Sequence, residues 1–349
     1  MATPTVPERR LLAAGATKSN QAWGTAMAIV SPYGILLEGD GGLARTQPYL
    51  PANEADTPLA KEGDLGPIDA VDFAPEFTWR YDPGPLGILL AQLFGTTGGT
   101  GTAIGGGVYE HSLIWATENY GEFCTFAIER PSKIFEVASA KPYAADFSIA
   151  DGLLKGTISL RGNTLINTST VNTLTQMDAL TYRDRGNRIK FSQCDIRMNN
   201  QGAGDASSET ALEVSDLSMH FERPHDGVPK AGSESIIEPA ENAHPIITVS
   251  LNFPRMNTVN NAYFADFIAE TEKKMRIYFT GEIAGAAHRY DFKLWFPRLR
   301  ITAINYPWDE VVPGSMTLQA EEAAAAPIAM AYAVPYAHFQ NLASADYLG

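Results

Sequence analysis

The run HFERPH contains His220, Glu222 and His225, three side chains of types that ligate metals. Their i, i+2, i+5 spacing does not put all three on one strand face, because successive side chains point to opposite sides. They read as polar surface groups at a strand end. The six histidines are otherwise scattered, with no HExxH and no CxxC pair. The glycine-rich run GTTGGTGTAIGGG, Gly95 to Gly107, contains no lysine and does not match P-loop spacing, so it reads as a flexible connection. No GxSxG nucleophile elbow occurs. Carboxylates are abundant, but nothing singles out a pair for acid–base work. The sequence therefore designates no catalytic, cofactor-binding or metal-binding residue, and the expectation is a protein that is not an enzyme. Cys124 shares strand parity with Phe126 and Ile128, and Cys194 with Ile196 and Met198, so both read as buried free thiols.

Which elements would carry these residues follows from composition and patterning. The chain has 349 residues, 45% of them apolar, in short runs punctuated by 30 glycines and 22 prolines. That favours β structure with many turns. No apolar run is long enough for a membrane helix. The apolar part of the first twenty residues, LLAAGA, is too short for a signal peptide, so folding in a cytosol is expected. The formal charge of −14 argues against nucleic-acid binding, since phosphate would be repelled.

The most informative stretch is FAPEFTWRYDPGPLGILLAQLFG, residues Phe73 to Gly95. Phe73, Pro75, Phe77, Trp79 and Tyr81 alternate with Ala74, Glu76, Thr78 and Arg80, which predicts a strand with one apolar face. Asp82 to Pro85 break it. Leu86, Leu89, Leu90, Leu93 and Phe94 then form one stripe of an amphipathic helix that ends at Gly95. A similar unit returns at Ile247–Thr271. Ile247, Val249, Leu251 and Phe253 alternate, Pro254 breaks the run, and Val259, Ala262, Tyr263, Phe267 and Ile268 follow helical spacing. An acidic region precedes each unit. The pair suggests an internal duplication, divided by a polar connector.

The expected organisation is an N-terminal arm (1–19), a first β-sandwich unit (20–165), a connector (166–186), a second unit (187–308) and a C-terminal arm (309–349) lying on a neighbour. A hairpin is expected across HSLIWATENYGEFCTFAIER, turning at Asn119–Gly121, and another across Tyr143–Asn163, turning at Asp151-Gly152. Ile189 to Met198 reads as a strand with a bulge, and Leu217, Met219 and Phe221 as its partner. Pro297 implies an edge or a bulge within RYDFKLWFPRLRITAI.

Taken in order, these segments resemble the major tail tube proteins of long-tailed bacteriophages, the two-part kind of about this length. The likeness covers roughly Gln21 to Ile304. It rests on QAWGTA, FTWRYDPGPLGILLAQLFGT, GEFCTFAIER, KGTISLRGNTLI, VSLNFPRM and LWFPRLRI. The resemblance implies a mainly β fold, with tandem tail-tube-type sandwich or barrel units that each carry one flanking helix. It implies a structural virion protein, assembled in the bacterial host cytoplasm, whose copies form rings stacked into a tube. Two units per chain imply three chains per ring with pseudo-sixfold symmetry, six being the alternative. The implied partners are other copies, the tape measure protein, and the tail terminator and tail tip proteins. Double-stranded DNA would pass without specific binding, and no membrane is involved. DNA carries one negative charge per ~1.7 Å of axis, so an acidic channel would not grip it. The alternative is a carbohydrate-binding β-sandwich of a receptor-binding virion component, which would display exposed aromatics on one sheet face.

Overall fold

The computed structural model describes all residues except 1–10, 15–21, 30–33, 40, 45–46, 48, 52–62, 67–69, 82–84, 96–100, 131–132, 181–186, 230, 234, 256–257, 306–313 and 348–349. Strands β1 (Leu11–Ala14), β2 (Gly34–Leu36), β3 (Tyr49–Pro51), β4 (Gly63–Leu65), β5 (Val71–Phe73) and β6 (Glu76–Thr78) lead to helix α1 (Pro85–Phe94). Then come β7 (Thr102–Gly105), β8 (Val108–Ile114), β9 (Cys124–Arg130), β10 (Lys133–Ala150), β11 (Leu153–Gly162), β12 (Leu165–Ile166) and α2 (Leu174–Asp178). The remainder runs β13 (Cys194–Asn200), β14 (Asp216–Glu222), β15 (His225–Asp226), β16 (Ala240–Glu241), β17 (Ile246–Phe253), α3 (Thr258–Ile268), β18 (Lys273–Gly285), β19 (His288–Asn305), β20 (Gly314–Glu321) and β21 (Tyr336–Asn341). The protein is mainly β, 51% strand against 10% helix, and its large antiparallel sheet does not close into a barrel.

Two long strands are the spines of that sheet. The C-terminal half of β10 pairs with β14 on one edge and β11 on the other, while its N-terminal half pairs with β9. β19 does the same, pairing with β18 along one edge and with β21 then β20 along the other. One layer therefore runs β5/β6–β11–β10–β14–β17–β20, and a second runs β13–β18–β19–β21–β8–β7. The layers join where β19 pairs with β20. Aromatic rings from both meet inside, with Trp79 6.1 Å from Phe292 and Phe221 6.3 Å from Phe296. One apolar core draws on residues between Ile35 and Leu165, between Ile189 and Ile304, and between Met316 and Tyr347.

The alternation from Phe73 to Tyr81 holds in part: Phe73, Phe77, Trp79 and Tyr81 are buried and Glu76 is exposed, but Thr78, expected on the polar face, is buried too, and the run is split into β5 and β6. Two glycines make room for the large rings. A Cβ on Gly156 would lie 2.2 Å from the Trp79 indole nitrogen, and one on Gly281 would lie 2.6 Å from the Tyr81 ring. The β10–β11 hairpin turns at Asp151 and Gly152, both at positive φ, as their order in sequence requires. Opposite Pro297, the β18–β19 register shifts between Lys273 and Met275. A bulge accommodates the missing N–H donor.

Helix α1 differs from its expected single stripe. Gly87 to Phe94 are buried all round, so the helix lies inside the core and does not flank it. A helix that is apolar on every side must be enclosed. Its one polar side chain there, Gln92, accepts from the Cys124 thiol at 3.5 Å. Helix α3 is peripheral, with Tyr263 buried but Phe264 and Ile268 exposed.

Other expectations also change. β8 and β9 do not form a hairpin; β8 pairs with β7 and β21, and β9 with β10 and β1. β14 pairs with β10 and β17, not with β13. Before β13, a turn of 3-10 helix at Phe191–Gln193 resets the parity where a bulge was expected. The segment 309–349 is not an arm on a neighbour. It supplies β20 and β21, and Phe339 and Tyr347 sit in the core. Of the expected N-terminal arm, Leu11–Ala14 form β1, and the rest lies outside the described residues. In the connector, Met177 and Leu180 pack with Ile29, Ala127 and Ile134 in a second, small cluster.

Candidate functional site

The outward side of the first layer is a broad polar face. Ladder pairing sets residues of neighbouring strands side by side on it. One row reads Glu76, Thr157, Asp146, His220, Thr248, Gln319, Arg300. The next reads Lys155, Ser148, Ser218, Ser250, Thr317. Between them, on the opposite side, lies the buried row Gly156, Phe147, Met219, Val249, Leu318. Strict alternation of polar and apolar residues produces both faces at once. Ser250 and Thr317 hydroxyls lie 3.4 Å apart across the ladder. The cations on this face are tied down: Lys155 to Glu38 at 2.9 Å, and Arg300 to Glu272 at 3.0 Å and Glu321 at 3.2 Å.

His220 lies within this face between two carboxylates. Its Nδ1 is 2.7 Å from Asp146 and its Nε2 3.2 Å from Glu222. Burial opposes the charged imidazole, but the hydrogen bonds to Asp146 and Glu222 outweigh it and raise the pKa. His220 and Glu222 thus share a face, as i, i+2 spacing dictates, while His225 does not join them. β14 ends at Glu222, Pro224 follows, and His225 starts β15 in the interior. Its Nε2 meets Asn119 at 3.0 Å. Burial, with Lys141 and Arg223 nearby, lowers its pKa to about 3. Among the described residues, no group of three or more His, Cys, Asp and Glu side chains is placed to hold a metal ion. Both thiols are free, Cys124 buried and Cys194 half-buried, and burial pushes both up to about 12. In the glycine-rich run, Gly106 and Gly107 make the β7–β8 turn at positive φ, and residues 96–100 lie outside the described residues.

Sequence reasoning missed the ionic centre behind α1. Arg223 is fully buried and donates to the carbonyls of Leu93 (2.6 Å), Phe94 (3.0 Å) and Ala116 (2.6 Å) and to Glu241 (2.7 Å). Its guanidinium lies 4.2 Å from the Trp115 ring centre. The helix C-terminus offers unpaired carbonyls of partial negative charge, and a planar fork of donors matches them. Lys141, also buried, donates to Glu238 (3.0 Å) and the Pro239 carbonyl (3.2 Å). Lys141 sits in the largely apolar run VASAKPYAA, and that oddity was an available signal; Arg223 lies among the polar residues of HFERPHD and gave none.

A cleft of about 700 Å³ lies beside Glu238, between Trp23, Tyr120, Phe123, Thr164 and the Ser235–Glu238 run with Ile236 and Ile237. The outward side of the second layer carries Tyr278 and Trp295, half-buried, with Arg276 4.4 Å from the Tyr278 ring. No helix of the described residues is long and apolar enough to cross a membrane. No family model and no curated protein matches this chain.

Proposed function

We propose that this chain is a structural subunit of a phage-type tail tube, and that the polar face of the first layer lines its channel. The observation that carries this reading is the continuity of that face across both halves of the chain. β10 and β11 come from the first half and β14, β17 and β20 from the second, joined by the β10–β14 ladder. Short hydroxyls give a smooth, hydrated wall. Asp146, Glu222 and Glu76 supply negative charge, and the cations are paired with carboxylates, so a passing phosphate backbone finds no strong anchor. The two strand–break–helix segments are duplicate tail-tube units merged into one sandwich. Each chain then spans the wall of two simple subunits, and three chains close a ring. Partners in this role are further copies, a tape measure protein, and terminator and tip proteins. The role requires no catalysis and no cofactor, and places the protein in the virion.

Negative-stain imaging of the concentrated purified protein tests the reading. Hollow tubes or stacked rings are the expected result. A monodisperse monomer under every condition that assembles a tail tube, including added tape measure protein, contradicts it.

A further inference from the structure

We infer that the cleft between Trp23, Tyr120 and Phe123 is a binding site for a neutral oligosaccharide. It is formed by four segments remote in sequence, and hydrogen bonds hold them together. The Trp23 indole donates to the Ile236 carbonyl at 2.9 Å, and Trp23 meets Phe123 edge-on at 5.2 Å. The backbone N–H of Gly24 donates to the Ser139 hydroxyl at 2.9 Å, and that of Gly121 to Glu238 at 2.6 Å. The walls are therefore set before any ligand arrives, which lowers the cost of binding.

The lining specifies the ligand class. Sugars present C–H faces that pack on aromatic rings and rims of hydroxyls that both donate and accept. Tyr120 is 68% exposed, unusual for a ring of its size. Around it stand the Thr164 and Ser235 hydroxyls, the Glu238 carboxylate and the apolar Ile237, while the Asn163 amide oxygen already accepts from the Ser139 N–H at 3.2 Å and the Ser233 hydroxyl is bonded to Ser235. That inventory donates and accepts in the mixture a polyol needs. The Glu238 charge is offset by Lys141 at 3.0 Å, so the cleft favours neither an anion nor a cation. At about 700 Å³ the space lies within the roughly 300–1,000 Å³ of small-ligand pockets. The aromatics sit on loops and not on a sheet face, which is why strand alternation gave no sign of them.

Titration of the full-length chain with maltotriose, cellotriose, the β-1,4-linked N-acetylglucosamine trimer and sialyllactose, followed by calorimetry, tests this. Saturable binding of at least one of the three neutral sugars is expected. Tyr120→Ala should weaken it about tenfold or more, with melting and tube formation unchanged, and Tyr120→Phe should retain it. Failure of all three neutral trimers, selective binding of the charged sugar, or affinity unmoved in both Tyr120→Ala and Thr164→Val overturns the inference.

Discussion

Trp79 and Phe253 stand at like places in the two strand–break–helix segments, and both are sealed from solvent. The helices that follow are not alike. Residues 87–94 of α1 are enclosed on every side, while α3 leaves Phe264 46% and Ile268 68% exposed. The strands of a sandwich must each give one face to the core, so the alternating pattern appears in both segments. A helix beside the sheet has no such obligation. α1 fills the space between β8 and β10, and Arg223 from the other half caps its end. α3 packs on β19 alone among its larger contacts, anchored by the Lys273–Asp266 ion pair at 2.6 Å. Two segments of like sequence pattern thus keep the same strand burial and differ in how their helices are placed.

The strongest break in this comparison is Arg223→Ala. It strips the cap from α1 and leaves Glu241 facing a void, so a loss of about 3–5 kcal/mol is expected. Urea denaturation should show a lower midpoint at unchanged slope. A wild-type midpoint would mean that α1 does not depend on the other half. Trp79→Ala and Phe253→Ala should each cost about 3–5 kcal/mol, because both strands are equally core. A tolerant Phe253→Ala would end the equivalence of the strands. The helices should separate: Leu93→Ala in α1 costs about 2–5 kcal/mol, whereas Ile268→Ala in α3 stays within about 0.5 kcal/mol. Equal losses would show that α3 is as deeply committed as α1.

Smaller still are the titrations of two histidines, His220 on the outward face of β14 and His225 buried on β15 of the separate β15–β16 pair. His225 has a folded pKa of about 3 against an ordinary 6.5, so the unfolded chain takes up the proton first. Its contribution is full above 6.5 and is lost as pH falls toward 3. His220 is raised, so its contribution is full below 6.5 and is lost as pH rises through the folded value. Melting curves against pH should flatten on the acid side in His225→Gln. In His220→Asn, stability should drop at acid pH and change little at alkaline pH. The opposite pattern would mean that the pairings with Asp146 and Glu222 do not form.

What was legible in the sequence was local. The alternation of Phe73–Tyr81 and Ile247–Phe253, the Asp151-Gly152 turn and the Pro297 bulge follow from side-chain periodicity and backbone chemistry. Pairing partners were not legible. β8 meets β21 more than two hundred residues later, Ile114 opposite Tyr336, and no local pattern encodes that. The alanine-rich run broken by Pro327 and Pro335 suggests an arm and hides β21, whose Tyr336 to Phe339 are buried on both faces and so do not alternate. The enclosure of α1 could have been read from PLGILLAQLF, where Gln92 is the one polar side chain. The polar face was present as alternate Ser and Thr positions, but its continuity required the ladders. The cleft was beyond reach, since its lining comes from loops at 23–24, 120–123, 163–164, 233 and 235–238.

The central claim is that both halves of each chain form the wall of a tube. Cryo-EM of assembled tubes measures this directly, through the symmetry of a ring and the side chains that face its channel. Three chains per ring, with Asp146 and Ser148 from the first half and Ser250 and Thr317 from the second all facing inward, is the result the account predicts. Six chains per ring with one half lining the channel, or this face turned outward, would contradict it.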